Sequence, residues 1–78
     1  MLKGLSLGKQ FYYADRNEKK PVKCIIKDIQ WGYPCKIKAE REDTKKVFTC
    51  YEGFGCYELE QYQEAFEDSQ IQSNRIIY

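Results

Sequence analysis

Apolar and polar residues alternate with a period of two through residues 20–60, and short charged or turn-forming stretches interrupt the rhythm. Successive side chains of an extended strand point to opposite faces, so each alternating run predicts a half-buried strand. The clearest run is residues 35–40, with Cys35, Ile37 and Ala39 inward and Lys36, Lys38 and Glu40 outward. Residues 22–31 place Val22, Cys24 and Ile26 on one face and Lys23, Ile25, Lys27 and Ile29 on the other. Two isoleucines on a charged face imply partial cover, as where a strand bends through both halves of a small barrel. Pro21 opens this strand, where a missing N–H is tolerated. Residues 47–51 (VFTCY) are β-branched and aromatic, a third strand run. Residues 56–59 (CYEL) predict a short strand or a helical lead-in, and residues 9–14 (KQFYYA) a first strand with Phe11 and Tyr13 opposed to Tyr12.

The interruptions are equally legible. Trp31-Gly32-Tyr33-Pro34 is a turn, residues 40–46 a charged hairpin connection, and residues 52–55 a tight turn with an aromatic tip. Residues 15–20 (DRNEKK) are all polar and predict a solvated loop. From Glu60 the period changes: Leu59, Tyr62 and Phe66 recur at helical spacing with Ala65 beside them, predicting a helix over residues 60–72. Asp68, Ser69, Ser73 and Asn74 weaken that helix. Residues 1–8 are a lead-in expected either to form one irregular turn or to lie across the barrel's end, and residues 75–78 either add an edge strand or dock on the barrel. The expectation is one domain over residues 1–78, mainly β, with a five-stranded small barrel at residues 9–59 and a helix after its last strand.

Composition adds limits. A chain of 78 residues buries only roughly 60% of its unfolded surface, so its core is thin. Seven Tyr, four Phe and one Trp fill such a core economically, which is the plainer account of an aromatic content of 15%. No run approaches the ~18 apolar residues of a membrane span, and the opening MLKGLSLGKQ is too short and polar for a signal peptide, so a cytoplasmic location is expected. In that compartment Cys24, Cys35, Cys50 and Cys56 are expected as buried thiols. Their C-x10-C-x14-C-x5-C spacing lacks the close pairs of zinc sites, and the chain has no His, so no metal is expected. Residues 1–46 carry 12 of the 13 Lys and Arg against 6 acids, while residues 47–78 carry 1 base against 6 acids. The surface is therefore polarised rather than uniformly basic.

Strand, long polar loop, strand, turn, strand, charged hairpin, strand, Gly-containing turn and short strand, over about residues 8–60, resemble an SH3-like barrel. Residues 45–59 look like the closing part of Tudor- and KOW-type barrels, where an aromatic-Gly turn leads into a short last strand. Gly32-Tyr33-Pro34 running into Cys35-Lys36-Ile37-Lys38 is similar to short small-barrel proteins of bacteria and their phages. The resemblance implies binding rather than chemistry, of Pro-rich peptides, methylated side chains or nucleic acid. For a Tudor-type aromatic cage, which grips a cation through the ring faces, it points to Trp31, Tyr33, Tyr51, Phe54 and Tyr57.

Without His, the Cys–His and Ser–His–Asp arrangements are excluded, and no phosphate-binding glycine loop occurs. No enzymatic activity and no cofactor are expected. Protein recognition through the turn aromatics Trp31, Tyr33, Phe54 and Tyr57 is the first function predicted, as in an adaptor or small inhibitor, since Trp and Tyr carry interface energy. The alternative is nucleic-acid binding by a stripe of Lys23, Lys27, Lys36 and Lys38, with Lys45 and Lys46 at the hairpin base. A charged strand face is more often simply the wet side of a sheet. A third possibility is self-association through Ile76-Ile77-Tyr78, giving a monomer or a weak homodimer.

Overall fold

The run that alternates imperfectly becomes the strand on which the sheet is built. The computed structural model describes residues 2–15, 17, 18 and 20–75, the side chains of 71–75 excepted. In it β2 (Val22–Gln30) pairs antiparallel with β1 (Gln10–Tyr13) through its first half, with Phe11 opposite Cys24. It also pairs antiparallel with β3 (Lys36–Arg41), from Cys24 opposite Arg41 to Gln30 opposite Lys36. β4 (Val47–Tyr51) continues the meander beside β3, and β5 (Cys56–Tyr57) returns to lie beside β1. The order is β4-β3-β2-β1-β5. The protein is mainly β: its described residues form five antiparallel strands curled into a half-barrel, with one α-helix after the last strand.

The bend in β2 has a local cause. Between Ile26 and Asp28 the register with β3 slips, leaving Lys27 as the extra residue of a β-bulge. A bulge reverses the inward and outward alternation beyond it. Ile29 consequently lies opposite Ile37 and packs against the core, instead of sharing the face of Lys23, Ile25 and Lys27 as simple alternation predicts.

Phe11, Cys24, Ile26, Ile37 and Ala39 are fully enclosed, and Cys50 and Cys56 complete the centre. Tyr13 and Phe48 flank it, their ring centroids 5.0 Å apart. The lead-in contributes Leu2 and Leu5, while Leu7 faces solvent. Glu58 holds the lead-in down: its Oε2 accepts from the Lys3 N–H and from Lys9 Nζ, each at 2.8 Å.

A 3-10 turn, Leu59–Gln61, leads into α1 (Tyr62–Arg75). Glu58 and Gln61 cap the start of that turn reciprocally, the Gln61 side chain accepting from the Glu58 N–H at 3.0 Å. The helix lies on the outer face of the β1–β5 edge, where Tyr12 and Tyr57 are register partners. Tyr62 meets Tyr12 edge-on at 5.0 Å, and the Tyr57 hydroxyl donates to Asp68 at 2.7 Å. The buried seat is Ala65 and Ser69, not the larger Leu59 and Tyr62, which remain about 40% exposed at 39% and 41%. Small residues let the helix approach the sheet, and the buried Ser69 hydroxyl is satisfied by donating to the Ala65 carbonyl at 3.0 Å. Ile76, Ile77 and Tyr78, predicted to add an edge strand, to dock on the barrel or to mediate self-association, lie outside the described residues.

Candidate functional site

Two turns meet at one end of the half-barrel. Residues 31–35 connect β2 to β3 and include a cis Tyr33–Pro34 peptide bond; residues 52–55 connect β4 to β5. The register of β3 with β4 carries on past the strands, and the Glu52 N–H donates to the Cys35 carbonyl at 3.0 Å, stitching the turns together. Cys35 is buried beneath them, its thiol 3.2 Å from the Gly32 carbonyl. The second turn is closed by the Phe54 N–H donating to Tyr51 at 3.1 Å. It needs glycine at Gly55, where φ is +77° and an added Cβ would stand 3.3 Å from a Tyr13 ring carbon.

Between the turns lies an open groove of about 480 Å³, lined by Tyr33, Pro34 and Phe54 with Glu52 at its polar side. Tyr33 is 108% exposed and Phe54 67%, so both rings stand outside the core. Trp31 begins the first turn and is 68% exposed. Three of the four predicted aromatics therefore sit on the two turns, and two of them share the groove. Tyr57 lies elsewhere, half-buried beneath α1. Burial first, then its bond to Asp68, pushes its phenol up to about 12. Tyr51 is on the outer face of β4, beside Lys36.

The four predicted lysines fall in three places. Lys36 and Lys38 are exposed over a hollow of about 150 Å³ that also contains Asp28, Gln30 and Thr49. Lys27, on the bulge, reaches Glu40 at 4.0 Å. Lys23 is half-buried at a different hollow of about 430 Å³ that includes Glu18, Glu42 and Asp43. A feature invisible to patterning organises that hollow. Arg41 grips Asp43 through two bonds of 2.9 and 2.7 Å and reaches Glu18 at 3.2 Å. The Arg41 guanidinium holds the Asp43 carboxyl down at about 2. Glu18 is thereby tied to the hairpin between β3 and β4. Only the spacing of Arg41 and Asp43 in the charged hairpin hinted at this, and the Glu18 contact spans the fold.

Every buried side-chain nitrogen and oxygen among the described residues has a hydrogen-bond partner, and among them no group of three or more metal-ligating side chains converges. Nor is any described helix long and apolar enough to cross a membrane. No protein-family model matches the chain, and no match to it was found among curated proteins or solved structures.

Proposed function

We infer that the protein is a small non-enzymatic binding module that recognises a protein partner through the groove between its two turns, as an adaptor or inhibitor would. The observation that carries this reading is the pairing of Tyr33 and Phe54, from turns 21 residues apart in sequence, as exposed rings on one apolar groove. Large aromatics held on short, hydrogen-bonded turns lose little freedom when a partner covers them, which is what makes such residues effective anchors. Trp31 extends the same end of the molecule. The strand order, with β5 returning beside β1, supports the finer reading of an SH3-like barrel. Nucleic acid is the weaker alternative, because the four lysines form no continuous stripe and each has a carboxylate nearby: Lys23 lies by Glu18, Glu42 and Asp43, Lys27 reaches Glu40, and Lys36 and Lys38 share their hollow with Asp28.

The test is affinity capture from the native cell with the wild-type chain and with a Tyr33→Ser, Phe54→Ser double variant. Both changes are on exposed turn positions, so the variant should melt like the wild type. A protein retained by the wild type and lost by the variant is the expected result. Equal recovery on both, or recovery of nucleic acid alone, overturns the reading.

A further inference from the structure

The half-barrel has a seam. β4 and β5 are the two edges of the sheet, and no ladder joins them among the described residues. At that seam Cys56 Sγ lies 3.8 Å from Cys50 Sγ, and both residues are buried, 2% and 3% exposed respectively. The Cys56 thiol also stands 3.5 Å from the Tyr51 carbonyl and 3.8 Å from that of Phe54, so it is the inner fastening of the turn that carries Phe54. Cys35 is apart, under the first turn, and Cys24 is enclosed on β2, where burial pushes its thiol up to about 12. The chain thus places one thiol on each of the two edge strands that face across the seam, nearly in contact.

We propose that Cys50 and Cys56 are a modification site: a dithiol that a small peroxide oxidises to a disulfide, fastening β4 to β5 and fixing the intervening turn. A disulfide needs its sulfurs about 2.05 Å apart, so one or both must close the 3.8 Å gap, which is a small adjustment at a sheet edge. Hydrogen peroxide is small enough to reach the pair when the seam opens locally, and parting β4 from β5 breaks no strand ladder among the described residues. The order of events follows from the hydrogen bond. Cys56 donates to Cys50, which favours the Cys50 thiolate and holds the proton on Cys56.

The Cys50 thiolate attacks one peroxide oxygen and the O–O bond breaks. Cys50 becomes a sulfenic acid, and the other oxygen leaves as hydroxide, which takes up the proton that Cys50 released and becomes water. The Cys56 sulfur then attacks the Cys50 sulfur, the S–O bond breaks, and a second water leaves carrying the Cys56 proton. Two thiols lose two electrons, the peroxide gains them, and the products are one disulfide and two waters. None of this depends on what the groove binds.

The test is peptide mapping of the intact chain. Reduced protein is treated with hydrogen peroxide, unfolded in iodoacetamide and cut with trypsin. Cleavage after Lys and Arg leaves Cys50 and Cys56 together in residues 47–75, Cys24 in residues 24–27 and Cys35 in residues 28–36. The expected result is that residues 47–75 lose two hydrogens and carry no alkyl group, while Cys24 and Cys35 are alkylated. Dithiothreitol should restore alkylation of both sulfurs. Alkylation of Cys50 and Cys56 after peroxide, a link from either to Cys24, or a link between chains would overturn the proposal. A second arm uses Cys56→Ser, in which Cys50 lacks its resolving sulfur. Dimedone should then trap a sulfenic acid at Cys50; trapping at Cys24 or Cys35 instead counts against the assignment. If Cys56→Ser does not fold, the wild-type map decides alone.

Discussion

The bulge at Lys27 makes a claim that a double-mutant cycle can decide. Ile29 and Ile37 are register partners on the inner face, so their side chains should touch across β2 and β3. Ile37 is fully buried, and Ile37→Val removes one methyl group, which costs about 1 kcal/mol. Ile29 is half-buried, so Ile29→Ala belongs near the low end of the aliphatic-to-Ala range, about 2 kcal/mol. A 78-residue domain has roughly 4–12 kcal/mol in total, so the double variant should stay folded at low temperature. Residues in contact share a cavity when both are cut back, and a coupling of at least about 0.5 kcal/mol is expected. Ile25 provides the control. It lies opposite Glu40 on the outer face, and Ile25→Ala should be additive with Ile37→Val to within about 0.5 kcal/mol. Urea unfolding followed by far-UV circular dichroism measures all the terms. Additivity for the Ile29 pair equal to that of the control, or a cost for Ile29→Ala below about 0.5 kcal/mol, would refute the inward placement of Ile29.

Tyr57→Phe removes the hydroxyl that bonds to Asp68 and should cost about 1 kcal/mol, less than a buried bond to a carboxylate because the site is partly solvated. Amide exchange in the first turns of α1 should quicken with it. The Tyr57 pKa of about 12 lies above the unfolded value near 10, so its contribution is whole below about pH 10 and is lost as pH rises toward 12; a stability difference between wild type and Tyr57→Phe that persists there contradicts the bond. The Glu58 carboxyl is held below its ordinary range, chiefly by the bond from Lys9. The advantage of wild type over Glu58→Gln should therefore be full at neutral pH and shrink as pH falls through the depressed folded pKa, with thermal melts at several pH values as the check. A labelled single-stranded oligonucleotide should show no tight binding at 0.15 M salt. Tight, steeply salt-dependent binding that Lys36→Glu, Lys38→Glu abolishes would move the function to the outer face of β3.

The strands were legible because their side chains alternate and glycine and proline mark their ends. β3 is the clean case: Ile37 and Ala39 are buried while Lys36 and Lys38 are exposed. What escaped was anything decided by pairing rather than by pattern. The bulge at Lys27 carries no signature residue, yet it turns Ile29 inward. The helix was visible in the spacing of Tyr62, Ala65 and Phe66. Its seat was not, since the sheet surface under it accepts Ala65 and Ser69 more readily than Leu59. For the candidate site, Trp31, Tyr33 and Phe54 stood out as aromatics on turns. That Tyr33 and Phe54 share a groove, whereas Tyr57 turns to the helix, follows from the returning path of β5 beside β1. Arg41 and Glu18 meet for the same kind of reason, across two segments that no local rule connects.

The central claim is that the groove between residues 31–35 and 52–55 is where a partner sits, and crosslinking from single positions tests it most directly. A photoreactive phenylalanine analogue is placed in turn at Tyr33, at Phe54, and at the control positions Val47 and Tyr62, which are exposed but away from the groove. After irradiation in the native cell, positions 33 and 54 should yield the same protein adduct while positions 47 and 62 yield none. Adducts from the controls with none from the groove, or adducts to nucleic acid from any position, would contradict the account.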